Sequence, residues 1–298
     1  MADHPEPEPR PRTRGLVVPA DAPRKLASAT GADADALVLD LDAEAAEASS
    51  ATGDAGAGRR RRRGKRGGDP AAREAERAAS GGGALREGPA QDAARATVVD
   101  ALRDLDFGER LVTVRISPVA VRFAYRDLIE VVEGAGELLD AVALPRVESP
   151  GEIELVDHLL RMIEESVGIE HQIAIEAGIE TAAGLTLIDE IAGASPRLEV
   201  LALGHRRLAA SLGATGPAPR AGATGAEAEP GTGGEASPIP WARARLLVAA
   251  RAAEVQAIEE PSAGASPEAL RELARSAQRA GCDGLRVAHP DHLSLIAR

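Results

Sequence analysis

Eight short apolar runs, each four to seven residues long and separated by helical stretches, leave this chain few ways to fold. The runs cover residues 16–19, 36–41, 111–116, 141–147, 173–179, 198–203, 255–258 and 284–288. They do not alternate apolar with polar, as a strand with one wet face does. They read instead as parallel strands covered on both faces. Between them, residues 23–30, 125–133, 150–167, 186–192, 241–253 and 267–280 carry helical periodicity. Strand and helix in regular alternation predict an α/β protein of the (β/α)8 TIM-barrel type, and 298 residues suffice for a barrel of about 250.

Composition bounds what else such a barrel can do. Against 35 Lys and Arg stand 47 Asp and Glu, so the overall charge does not invite nucleic acid or an anionic membrane. Cys282 is the only cysteine, which excludes an internal disulfide framework and a cysteine-rich zinc site and fits a reducing cytoplasm. The opening MADHPEPEPRPRT has no apolar centre of the kind a signal peptide needs, and no apolar run reaches membrane-spanning length. A cytoplasmic, soluble protein is the expectation.

Three segments fall outside the alternation. Residues 1–13 form an acidic, proline-rich tail expected to be disordered, and barrel residues 14–298 are broken by low-complexity insertions at about 44–88 and 215–237. The first insertion holds a run of arginines at 59–63 with Lys65 and Arg66. Glycines flank the run and no aromatic side chain interleaves it, so it reads as a solvated loop, and nucleic acid is not an expected partner.

The chemistry-bearing residues sit at strand ends. Glu180 closes the fifth run and is followed by small residues and Gly184, which puts a carboxylate at the barrel mouth. Asp40 and Asp42 end the second run, and Arg115 ends the third. After the sixth run comes GHRRL, with Arg207 three residues past Gly204. Glu176 shares a face with Glu180 but lies four residues, about 13 Å, deeper. His205 and His289 follow strand ends, where a proton donor would be useful, but lone histidines are mostly structural and both are read so. Cys282 reads as a packing residue.

Taken in order, RGLVVPADAPRKL, VRIS, LPRVES, IETAAGL, LEVLALGHRRLAASLGA and AHP resemble the citrate lyase beta-subunit-like family, also called the HpcH/HpaI aldolase family. The likeness runs over most of the chain. It implies a carbon–carbon lyase that cleaves or forms a hydroxyacyl-coenzyme A thioester, of malyl-, citramalyl- or citryl-CoA type, through an enolate. It also implies a homo-oligomer, trimer or hexamer, and a CoA thioester or small dicarboxylic or hydroxy acid as ligand. Arg115 and Arg14 match substrate-binding arginines, and Glu180 matches one ligand of a magnesium ion. The second ligand, an Asp in a G-x-x-D-L motif, is replaced by Arg207.

Other departures accumulate. Gly15 replaces a serine, Ala43 replaces an acid in LDLDAE, Arg146 stands for Lys in LPRVES, and Gln91 replaces a lysine ahead of Ala94 and Arg95. Arg207 matters most. A divalent ion about 4 Å from a guanidinium is repelled by about 8 kcal/mol at an effective dielectric near 20. The expectation is therefore a degraded metal site in which Arg207 pairs with Glu180, with Asp40 and Asp42 as possible substitute ligands. A catalytically silent relative that binds an acidic ligand or scaffolds a partner is the alternative.

Overall fold

The computed structural model describes residues 12–42, 89–213, 237–262 and 264–296. The two expected insertions, the arginine run and nearly all of the expected disordered tail lie outside the described residues.

Eight parallel strands close a barrel in sequence order: β1 (Arg14–Pro19), β2 (Ala36–Asp40), β3 (Leu111–Arg115), β4 (Ala141–Leu144), β5 (Ala174–Ile179), β6 (Leu198–Gly204), β7 (Gln256–Glu260) and β8 (Gly284–Val287). The last closes on the first, Leu16 opposite Val287. The expected barrel is the observed one. Each apolar run became a strand because both of its faces are covered, and Leu37, Val38 and Leu39 are all fully buried.

Around the barrel, the described helices are α1 (Pro23–Ala29), α2 (Pro89–Asp104), α3 (Ala124–Ala135), α4 (Pro150–Val167), α5 (Ala182–Thr186), α6 (Ile188–Ala192), α7 (His205–Ser211), α8 (Ile239–Ala252) and α9 (Pro267–Ala280). α4 shows why the helices pack as they do. Ile153, Val156, Leu160 and Ile163 recur at helical spacing and are buried, Pro150 opens the first turn, and Gly168 ends it at φ 79°. α9 is capped by Ser266, whose hydroxyl accepts from Ala269 N at 3.2 Å, and ends at Gly281, φ 95°. α2 and α7 were not read from the sequence, since α2 follows directly on low-complexity chain and α7 is only seven residues long.

Two layers follow from the strand period. Outward residues such as Leu16, Leu39, Val114, Leu144 and Leu203 join the main core under the helices. Inward residues are a different set: Val200, Ala202 and Ile258 form a small separate apolar cluster, and the remaining interior is largely polar. Arg12, Thr113, Arg115, Glu176 and Arg286 are all buried. Charge inside a barrel needs partners, and their arrangement defines the mouth.

Candidate active site

The motif around Glu180 is built by close packing. Thr181 caps α5 by accepting from Gly184 N at 3.1 Å, and a Cβ on Gly184 would fall 2.2 Å from the Val147 carbonyl oxygen, so only glycine lets α5 settle against the loop after β4. Gly204, at the end of β6, has the same role for the side chain itself. A Cβ there would lie 2.7 Å from Glu180 Cγ. The Glu180 carboxylate therefore lies across the mouth toward the first turn of α7.

There it meets Arg207. One guanidinium nitrogen donates to Glu180 Oε2 at 2.8 Å and the other to Asp42 Oδ2 at 2.5 Å. Burial works against the charged arginine, but Glu180 and Asp42 outweigh it and raise its pKa further, so it stays protonated. Beside this cluster stands a second. Arg115 donates to Asp40 Oδ2 at 3.3 Å and to Glu260, which closes β7. Asp40 Oδ1 also accepts from Asp42 N at 3.0 Å, tying the two clusters together.

The electrostatics are uneven. Burial pushes the Asp40 carboxyl up to about 7, with Arg115 opposing and the charges of Asp42 and Glu260 adding to the rise. For Glu260 burial also works upward, but Arg115 and Arg286 outweigh it and hold the group below its ordinary value. Asp40, Arg115, Glu180, Arg207, Glu260 and Arg286 border an open cleft whose wall includes Pro19, Gly204, Pro261 and Ala288. Arg115, Glu180, Arg207, Asp40 and Asp42 thus come together at one place.

A magnesium ion does not fit this arrangement. Glu180 and Asp42 both hold Arg207, Asp40 holds Arg115, and among the described residues no group of three or more His, Cys, Asp or Glu side chains could bind a metal. Asp40 and Asp42, the expected substitute ligands, each face a guanidinium here, Asp40 that of Arg115 and Asp42 that of Arg207.

Arg14 requires a correction. It opens β1, about 16 Å from the mouth end of that strand, so it cannot join Arg115 on a substrate. Its guanidinium holds Asp33 at 2.8 and 3.0 Å and Asp35 at 3.2 Å, bracing the turn before β2 at the foot of the barrel. His205 lies 3.2 Å from Glu259, an outward residue of β7 that also binds Arg243. His289 caps the final turn by accepting from Asp291 N at 3.2 Å, and Cys282 is half-buried with its thiol pushed up to about 12 by burial. His205 also borders the mouth cleft, which His289 and Cys282 do not line. Gln91, in place of the resembled family's lysine, donates to Asp127 at 3.1 and 3.2 Å.

Two mouth residues were not anticipated. Glu260 fell just past the seventh apolar run as read. Arg286 lies within the eighth, and its partner Glu176, at 2.6 Å, is 110 residues earlier. A carboxylate and an arginine at inward, mouth-side positions were the available signal.

Comparison with known proteins places the geometry. The chain is 32% identical over 208 residues to the L-malyl-CoA/beta-methylmalyl-CoA lyase of Cereibacter sphaeroides, covering 68% of this chain and 64% of that protein. It is 32% identical over 216 residues to the citrate lyase subunit beta of Haemophilus influenzae, covering 72% and 66%. The chain thus spans just under two thirds of the length of these relatives. Among solved structures, a citrate lyase beta subunit from M. tuberculosis, complexed with oxaloacetate and magnesium, superposes with a TM-score of 0.62 at 25% identity, covering 96% of this chain and 95% of that one. The profile of the HpcH/HpaI aldolase/citrate lyase family matches residues 84–290, and the chain belongs to that family.

Proposed function

We propose that this chain is a carbon–carbon lyase for a hydroxyacyl-CoA thioester of malyl or citramalyl type, with the central cation supplied by Arg207 and not by magnesium. The observation that carries this reading is the guanidinium of Arg207 set between Glu180 and Asp42. Charge bookkeeping supports it. In relatives of the resembled type an aspartate and a magnesium ion together bring one positive charge, and an arginine brings the same charge alone. The mouth keeps its electrostatic balance while losing the metal.

Cleavage breaks the bond between the α and β carbons of the thioester. The hydroxyl gives its proton to a carboxylate bordering the cleft and becomes a carbonyl, the bonding pair stays on the thioester as an enolate, and a proton delivered to the enolate carbon completes the acyl-CoA product. Guanidinium donors fixed in a partly buried site stabilise such developing charge without reorganising. Arg207, held by two carboxylates, is pre-oriented in this way; Arg115, between Asp40 and Glu260, is the substrate-binding arginine. Glu180 acts as the anchor of Arg207 in place of a metal ligand. Assembly as a homo-oligomer, trimer or hexamer, belongs to the same reading.

The second reading, a silent relative that binds the thioester or acid without turnover, is favoured by one feature: both carboxylates beside Arg207 are already ion-paired to it. Incubation with malyl-CoA and citramalyl-CoA, followed by assay of acetyl-CoA, separates the two. Lyase activity appears equally in excess EDTA and in magnesium, and calorimetry detects no magnesium binding until Arg207→Asp is introduced. A flat trace with thioester binding intact selects the silent reading. Tight magnesium binding by the unmodified chain contradicts the replacement of the metal by Arg207.

A further inference from the structure

Among the described residues, three carboxylates line the mouth cleft: Asp40, Glu180 and Glu260. They are not equally engaged. Glu180 accepts from Arg207 at 2.8 Å, and Glu260 is in close contact with Arg115 and feels the charges of Arg286 and Arg207 as well. Asp40 has the longest ion pair of the three, 3.3 Å from Arg115 to its Oδ2, while its Oδ1 accepts from the backbone N–H of Asp42 at 3.0 Å. A carboxylate fastened to a guanidinium is a weak base, because the partner stabilises its charge and takes up its lone pairs. Asp40, buried and loosely paired, keeps an oxygen to which a proton can be added.

Its place beside Arg115 decides where such a proton comes from. With Arg115 as the substrate-binding arginine, its planar fork suits the substrate's carboxylate. In malyl and citramalyl thioesters the hydroxyl is on the carbon next to that carboxylate. A carboxylate gripped by Arg115 therefore brings its hydroxyl against the acids that hold the same guanidinium, Asp40 and Glu260.

We infer that Asp40 is the general base that takes the hydroxyl proton, with Glu260 as the residue that fixes Arg115. This assignment rests on the lyase reading proposed above. As the O–H bond breaks, its proton goes to Asp40 and its electron pair forms the new carbonyl, while the carbon–carbon pair passes to the thioester as the enolate. Water entering the open cleft protonates the enolate carbon, and Asp40 gives its proton to the hydroxide that remains, which regenerates both water and carboxylate. In the condensing direction protonated Asp40 is the acid that completes the hydroxyl.

Turnover of malyl-CoA and citramalyl-CoA, read as acetyl-CoA release, tests it. Asp40→Asn keeps the size of the side chain and an oxygen for the Asp42 N–H but cannot take the proton. Its kcat falls about a hundred- to ten-thousandfold, the contribution of one positioned acid–base group, while KM stays within about threefold. Asp40→Gly makes room for a small external base, and sodium formate restores its turnover in proportion to concentration, whereas sodium chloride at equal ionic strength does not. Unchanged kcat in Asp40→Asn, a loss confined to KM, or a kcat loss that formate does not recover in folded Asp40→Gly overturns the base and leaves the lyase reading standing. Should Asp40→Gly fail to fold, the division of the Asp40→Asn effect between kcat and KM decides alone. No turnover by the unmodified chain overturns the lyase reading, and the base with it.

Discussion

Two arginines flank β6, and they show how one chemical arrangement does two jobs. Arg197 stands just before the strand, at the foot of the barrel; Arg207 stands just after it, at the mouth. Each is a guanidinium held by two carboxylates. Arg197 meets Glu164 at 2.6 Å and Asp157 at 2.9 Å and also donates to the Ile173 carbonyl oxygen at 3.1 Å. Its acids are engaged in turn: Glu164 accepts from Ile173 N at 2.9 Å and Asp157 from Ser195 at 2.8 Å. Backbone is thus part of the foot cluster, which locks α4 to the starts of β5 and β6. At the mouth, Arg207 bridges Asp42 and Glu180, and Arg207 and Glu180 themselves border an open cleft. A closed cluster braces, whereas an open one is available to a ligand.

The difference has a measurable size. Arg197→Met leaves two carboxylates and a carbonyl without their partner in a dry setting, and urea denaturation should show a loss of about 3–5 kcal/mol. Arg207→Met strands Glu180 and Asp42, which are no more exposed than the foot acids, but no backbone carbonyl is lost with them and Glu180 borders the cleft, so the loss falls to about 3 kcal/mol. Equal losses for the two variants would make the mouth arginine a brace like its counterpart, and the proposed role would lose its footing.

The same contrast explains what could be read in the sequence. The barrel was legible because a strand covered on both faces must be apolar along its length, and residues 36–41 or 173–179 allow little else. The pairing of Arg207 with Glu180 was legible too, since opposite charges placed at neighbouring strand ends must meet. Arg14 was misplaced because its match to a family motif was allowed to outweigh its position: it precedes the apolar run it belongs to, which puts it at the foot. Arg286 and Glu176 could not be paired by reading, because their contact depends on barrel closure across 110 residues. Glu260 was missed for a simpler reason. The run was ended at Ile258, one strand period short of the mouth.

Protonation sharpens the comparison further. At the foot, burial tends to raise the Asp157 carboxyl, but Ser195, Arg161 and Arg197 outweigh it and hold it below its ordinary value. At the mouth, burial carries Asp40 from 3.8 up to about 7. Through that window the folded chain keeps a proton on Asp40 that the unfolded chain releases, so this group's contribution to stability is lost as pH rises. For Asp40 alone the decline is about 1 kcal/mol between pH 6 and pH 7. Asp40→Asn should remove it, making the variant's denaturation midpoint less dependent on pH than that of the unmodified chain. Identical pH profiles would mean that Arg115 keeps the carboxylate ionised in the fold.

The smallest effect belongs to Cys282, on the outer side of the barrel near the foot of β8. Burial, with the charge of Glu259 adding to it, moves its thiol from 9.0 to about 12, which lowers the thiolate population about a thousandfold near neutral pH. Iodoacetamide at pH 8 should therefore label the folded chain far more slowly than the urea-unfolded chain, and Cys282→Ala should leave both ligand binding and turnover unchanged. Fast labelling of the folded protein would show this corner opening to solvent. The contrast between a mouth open to a cleft and a closed outer layer would then need to be redrawn, because the thiol lies beside the same Glu259 that holds Arg243 of α8.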